Sequence, residues 1–366
     1  MIRRAMSIFA SVCPAVLIMA PDPRDLVSRV NEVGGKRLRF PPTFRSCRTR
    51  RQGTHAKMLF LIFPLLFSGC ATPPPPGRAT DLEVAAAAVR GRRAFAHGRF
   101  LLAAEAYAAA LGRARMLNDA VGIGDSAYNL AACRAALREY DKARELLREA
   151  QTELAKAGGE GLAAAWLLEA RIAREQGKRD EAASLARKAI DAEAAERDNP
   201  ELSAQIRLLR AALALDVGDI PESRRELALA GNAMRNVKDP LVNAEFAAVE
   251  GRLRAMEKTP ALAAAAFERA AALYGKGSQP ARMAEALTHA GENYEACGYF
   301  ALAADRYYVA ARSLFACGAA AQALKRIDSA FAAARKAGDD ELRTRTENLF
   351  KTIQDTVNAA AKKRQE

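Results

Sequence analysis

Six times along the chain a small residue stands twelve positions before a second small residue and nineteen before an alanine. The sets are Gly91/Ala103/Ala110, Ala131/Ala143/Ala150, Ala170/Ala182/Ala189, Ala211/Ser223/Ala230, Gly251/Ala263/Ala270 and Gly291/Ala303/Ala310, so the unit recurs every 39 to 41 residues. A fixed period of this length marks a repeat array, in which one pair of helices cannot bury its own apolar face and neighbouring pairs stack to make a continuous core. Small residues belong where two helix backbones cross closely. Aromatic residues make up only 6% of the chain and alanine is abundant, which suits such crossings, because alanine costs least in a helix and adds least bulk. The folded part is expected to be all α, to grow lengthwise, and to carry its function on a surface rather than in a catalytic pocket.

Punctuation follows the same period. Gly98, Gly177, Gly218 and Gly298 stand where the first helix of a unit should end, since glycine enters the left-handed conformation at low cost. Between units, Asn199-Pro200, Asp239-Pro240 and Gln279-Pro280 follow one another at intervals of forty. A polar cap followed by proline at the first helical position starts a helix well. Earlier units carry Asn118-Asp119 and Gly158-Gly159 at that place. Past the sixth unit, Ala319 to Ala337 and Asp339 to Lys362 read as two further helices divided by Gly338. The last is strongly polar, with Leu342, Leu349, Phe350, Ile353 and Val357 as its apolar stripe, as the terminal unit of an array requires.

These residues resemble the tetratricopeptide repeat. The likeness is fullest in Gly291, Tyr294, Gly298, Phe300, Ala303, Tyr307 and Ala310 and in Gly91, Gly98, Phe100, Ala103, Tyr107 and Ala110, while Trp166 stands four residues before Ala170, where the family prefers tryptophan. The period exceeds the family's usual length of about 34 residues, so each helix pair is expected to be longer by a turn or more. The resemblance implies an all-α, right-handed superhelical solenoid of helix-turn-helix units. Six repeats are expected over residues 81–316 and capping helices over 317–366. It further implies a concave wall made by first helices, to which it assigns Arg92, Tyr128, Asn129, Arg171, Arg174, Arg252 and Glu292. Guanidinium groups there pair with carboxylates of a bound segment, and Tyr128 with Leu167 receives an apolar side chain. The alternative is that these arginines are simply solvated.

The formal charge of +13 invites a nucleic-acid reading until it is located. Residues 1–57 hold 12 Lys/Arg and 3 Asp/Glu, whereas from Cys70 onward the numbers are 44 and 40. A nearly balanced body makes no electrostatic footprint for phosphates, and no nucleic-acid partner is expected.

Leu59 to Phe67, LFLIFPLLF, is an apolar run too short to span a bilayer but of the length of a secretory signal core. It leads into Phe67-Ser68-Gly69-Cys70, which resembles the bacterial lipobox, where small residues precede a cysteine that is lipidated on sulfur and becomes the mature terminus; Phe67 replaces the usual aliphatic residue. Residues 58–69 are thus expected to be a lipoprotein signal, Cys70 the lipidated residue, and Pro73 to Pro76 part of a semi-rigid spacer over 70–80. Pro64 opposes the other reading, a buried core helix. Residues 1–57, basic and without helical or strand period, are expected to be a non-native or disordered extension, with translation starting at Met58; Arg50, Arg51 and Lys57, which would supply a signal's basic start, speak for Met1.

After Cys70 the only histidines are His97 and His289, in the first and sixth units, which leaves no multi-histidine metal site and no histidine-based triad. Gly122-x-Gly124 lacks a preceding strand and a third glycine, so it is not expected to cradle phosphate. Cys133, Cys297 and Cys317 are expected to be small core residues, the last two being separated by a helix of about 24 Å. No cofactor, metal or small-molecule substrate is expected. The sequence points to a non-enzymatic, lipid-anchored periplasmic scaffold at the outer membrane, bound to a protein or peptide of the cell envelope. A cytosolic regulatory array that senses a peptide is the alternative if the signal reading fails.

Overall fold

The computed structural model describes residues 81–195 and 199–363; the expected signal, Cys70, the proline spacer and both candidate starts lie outside them. Over the described residues fourteen α-helices follow one another with no strand. They run as antiparallel neighbours: α1 (Leu82–Ala96) with α2 (Phe100–Met116), α3 (Ala120–Ala136) with α4 (Tyr140–Lys156), α5 (Leu162–Glu175) with α6 (Arg179–Ala195), and α7 (Pro200–Asp216) with α8 (Ile220–Ala233). Then come α9 (Pro240–Met256) with α10 (Pro260–Lys276), α11 (Pro280–Ala296) with α12 (Phe300–Ala316), and α13 (Ala320–Ala337) with α14 (Asp340–Lys363). Each pair packs on the next, and α14 lies against both α13 and α12. The array is an all-α solenoid.

The small-residue register is the core of this stack. Every alanine of the six sets, and Ser223, is 0% exposed. Gly91, Gly251 and Gly291 are buried too, and each faces an aromatic ring sixteen residues later. A β-carbon placed on Gly91 would fall 2.7 Å from Cζ of Tyr107, on Gly251 2.9 Å from the Phe267 ring, and on Gly291 2.7 Å from Cε1 of Tyr307. Where the first residue is instead Ala131, Ala170 or Ala211, the sixteenth is Leu147, Ala186 or Leu227. Helix crossing and ring size are therefore matched unit by unit, as close packing demands.

The helix ends agree with the punctuation. Gly98 and Gly298 adopt φ of 70° and 78°, and the amide three residues past the last helical one folds back, Arg99 to the Ala94 carbonyl and Tyr299 to the Tyr294 carbonyl, each at 2.9 Å. In the second and fifth units that left-handed place is taken by Arg138 and Lys258 at φ 60° and 61°, a conformation costing a non-glycine residue about 1 kcal/mol. Asn199 caps α7 by accepting from Leu202 N at 3.2 Å, and Asp239 caps α9 through Leu241 N at 2.6 Å. Gln279 makes no side-chain cap bond and relies on Pro280. The fourth unit departs from the pattern: α8 has 14 residues and gives way to a single 3-10 turn at Met234–Asn236.

One expectation needs correction. Cys133 is buried as expected, but Cys297 and Cys317 are half-buried C-caps, since they stand at the ends of α11 and α12 beyond the last buried residues Gly291 and Leu314. Gly122 and Gly124 sit in the first turns of α3 as packing contacts; a β-carbon on Gly124 would fall 2.6 Å from the Leu154 side chain. Among the described residues no helix is long and apolar enough to cross a membrane.

Candidate partner-binding groove

First helices converge on one long groove of about 530 Å³, to which α1, α3, α5, α7, α9 and α11 all contribute residues. Its floor is made of small side chains, Ala132, Ala135, Ala136, Ala212, Ala248 and Ala286, and its apolar walls include Phe95, Tyr140, Leu168, Phe267 and Tyr274. Five arginines, Arg138, Arg171, Arg174, Arg252 and Arg282, line it against Glu175, Glu245 and Glu285. A smaller cavity of about 250 Å³ opens beside it, between Tyr128, Leu167, the start of α7 and Asn236 to Lys238 after the 3-10 turn; Leu168 and Arg171 border both.

The arginines are held in place from behind. Arg174 donates through Nε and Nη2 to both oxygens of Asp216 at 2.6 and 3.1 Å, and Arg252 donates to the same carboxylate at 2.6 Å, so one acid ties α5, α7 and α9 together. Arg171 reaches across to Glu245 on α9 at 3.2 Å. The Arg282 guanidinium lies 5.6 Å from the centre of the Tyr274 ring. Burial opposes ionisation of Asp216, but the hydrogen bonds from Arg174 and Arg252 outweigh it and hold the carboxyl below its ordinary value. At the far end His289 is bonded to Glu292 at 2.8 Å and tilts over Phe267 with ring centres 5.1 Å apart; that bond raises the imidazole's pKa against desolvation.

The residues expected on the wall divide three ways. Arg171, Arg174 and Arg252 line the groove, and Tyr128 and Leu167 line the side cavity, which Arg171 also borders. Arg92, Asn129 and Glu292 line neither: Arg92 is exposed on α1, Asn129 donates its amide to the Asp125 carbonyl at 2.6 Å, and Glu292 is engaged by His289. The alanine floor, Arg138, Arg282 and His289 were not picked out from sequence. A signal was available for part of this set, because the alanines fall on one face of first helices and Arg138 follows directly on the end of α3, whereas Arg282 and His289 lie within α11 with nothing in sequence to single them out.

Chemically the groove offers guanidinium groups of fixed orientation above a floor with little side-chain bulk, and walls that include four aromatic rings. An extended chain with carboxylates fits that combination. Among the described residues no group of three or more His, Cys, Asp or Glu is placed to hold a metal ion.

No protein-family model and no curated protein matches the sequence. Solved structures do match the fold. The apo form of RapI superposes with a TM-score of 0.54 at 11% identity, covering 76% of this chain and 100% of that one. A Rap protein in complex with the competence and sporulation factor gives 0.51 at 12% identity, over 77% and 78%. The fold is an all-α solenoid of stacked helix pairs, similar to that of these structures. A tetratricopeptide repeat protein from Parabacteroides merdae is also similar, at 14% identity over 75% of this chain and 100% of that one, with a TM-score of 0.39. The repeat register accounts for the position of the groove: the first helix of each unit carries the small-residue crossing on one side and the groove-lining residues, 168, 171 and 174 in α5 or 245, 248 and 252 in α9, on another.

Proposed function

We propose that this protein is a non-enzymatic scaffold of the bacterial cell envelope, lipid-anchored through Cys70 at the periplasmic face of the outer membrane, whose first-helix groove binds an extended segment of a partner protein. The observation that carries the binding function is the groove itself: one continuous channel, shared by six repeats, with arginines immobilised by Asp216 and Glu245. Preorganised guanidinium groups lose little entropy on meeting carboxylates, which favours an acidic segment. The matched Rap protein, solved with the competence and sporulation factor, supports binding as a use of this fold. The anchor is supported by the apolar run before Ser68-Gly69-Cys70 and by the proline spacer after it.

Two variants test the halves separately. Cys70→Ser removes the thiol that accepts the lipid, so the wild-type protein should fractionate with membranes and the variant should not; equal membrane association refutes the anchor. Ala248→Trp fills the groove from a half-buried floor position on α9. It should leave helicity intact and abolish capture of the envelope partner, and undiminished capture refutes the groove.

A further inference from the structure

We infer that the outer face of α1, at the amino-terminal end of the array, docks onto an anionic lipid surface. The face is set by helical spacing: Leu82, Ala86, Val89, Arg93 and Ala96 recur at i, i+4, i+7, i+11 and i+14, and all five are exposed, Leu82 at 85% and Val89 at 48%. The opposite face sends Val84, Ala87, Gly91, Ala94 and Phe95 into the core. An array needs polar terminal faces to stay in solution. At the carboxyl end α14 is mostly polar outside, with Glu341, Thr344, Arg345, Glu347, Asn348 and Lys351 exposed around Phe350 and Val357. At the amino end the corresponding surface is apolar and basic, a face suited to being covered.

Charge identifies the cover. Exposed Arg90, Arg92, Arg93 and Arg99 have no ion-pair partner among the described residues, whereas nearby Arg113 is bonded to Asp81 at 3.0 Å and Arg115 to Glu149 at 2.7 Å. The one acid on α1, Glu83, already meets Arg113 at 3.3 Å. The apolar character continues past the turn at Leu101, 56% exposed at the start of α2, where α4 has Asp141 and α10 and α12 have alanine. An apolar helical stripe flanked by arginines is the pattern of a helix lying in a membrane interface, its apolar side among the acyl chains and its guanidinium groups on anionic headgroups. The location rests on the proposed anchor. Cys70 stands twelve residues before Leu82, so a lipidated chain keeps α1 within about 40 Å of the bilayer even when the spacer is fully extended.

The test uses the full chain purified from membranes, whose single tryptophan is Trp166, mixed with vesicles of brominated phosphatidylcholine containing phosphatidylglycerol. Flotation reports association, and quenching of an added tryptophan reports depth. In a Trp166→Phe background, emission from Val89→Trp should fall at least about twofold on mixing with the brominated vesicles, while emission from Leu262→Trp, exposed on α10, should change by less than about a tenth. Adding Arg90→Glu, Arg92→Glu and Arg93→Glu should abolish the quenching at position 89. Unquenched emission at 89 from a chain that floats overturns the docking and leaves the anchor standing. Equal quenching at 89 and 262 overturns it as well, as does quenching that survives the three glutamates. A dimer formed through α1, with position 89 shielded but unquenched, assigns the face to a second copy and overturns the lipid reading. A chain that does not float overturns both docking and anchor.

Discussion

Gly291→Ala should destabilise the sixth unit, although alanine normally strengthens a helix. The added β-carbon lands 2.7 Å from Cε1, 2.9 Å from Cδ1 and 3.0 Å from Cζ of Tyr307, where carbon atoms prefer about 3.5 to 4.0 Å. The ring cannot withdraw freely: Tyr307 is 2% exposed, packs with Ala303, Ala304 and Ala330, and donates its hydroxyl to Glu295 at 2.9 Å. Overpacking of this kind costs about 1 to 3 kcal/mol, and the gain from replacing a helical glycine is about 1 kcal/mol, so the net loss should be about 1 kcal/mol. Gly112→Ala is the control, because nothing lies within 4 Å of its β-carbon; it should gain about 1 kcal/mol. Shortening the ring separates sterics from propensity. Tyr307→Leu restores the pairing found at Ala131 and Leu147, so in a double-mutant cycle with Gly291→Ala the two changes should couple favourably by about 1 kcal/mol or more. Urea unfolding followed by circular dichroism, with amide exchange resolved for α11 and α12, measures all four corners of the cycle. Stabilisation by Gly291→Ala equal to that of Gly112→Ala, together with additive effects of Gly291→Ala and Tyr307→Leu, would refute the size-matching account.

Ala303→Leu, at a wholly buried crossing between helices, should cost about 1 to 3 kcal/mol in the same unfolding assay, whereas Ala109→Leu on the exposed side of α2 should be nearly neutral. Asp216→Asn should cost about 1 to 2 kcal/mol at neutral pH, discounted for arginines that are about one-third exposed. The sign of its pH dependence follows from the depressed carboxyl: the stabilisation is complete above the free-group value of 3.8 and is lost as pH falls through the lower folded value. The gap between wild type and Asp216→Asn should therefore close below pH ~4, and a gap that widens in acid would contradict the arginine bracket.

Much of the fold was legible because it is periodic. The alanine register, the glycines at 98, 177, 218 and 298, and the prolines at 200, 240 and 280 each recur with the unit, and local chemistry alone gives them a position. The ring partners of Gly91, Gly251 and Gly291 were equally legible, since all three rings stand at a constant offset of sixteen. The groove was legible only in outline. Arg171 pairs with a residue 74 positions away and Arg174 with one 42 away, separations at which sequence spacing says nothing about contact. Asp216 and Glu245 consequently escaped notice although they set the orientation of the arginines. The same pairing changes how the wall must be tested: reversing Arg171, Arg174 and Arg252 together would also break the ties between α5, α7 and α9, so lost binding would not distinguish a missing contact from a loosened array. Filling the floor avoids that ambiguity.

Site-specific photo-crosslinking tests the groove most directly. A photoreactive residue placed at Ala135 or at Ala248, both half-buried on the groove floor, should form a covalent adduct with one and the same envelope protein in living cells; the same residue at Lys142 on the outer side of α4, or at Leu262 on α10, should form none. Adducts from Lys142 or Leu262 in place of Ala135 and Ala248 would move the binding surface to the second helices and contradict the assignment of function to the groove.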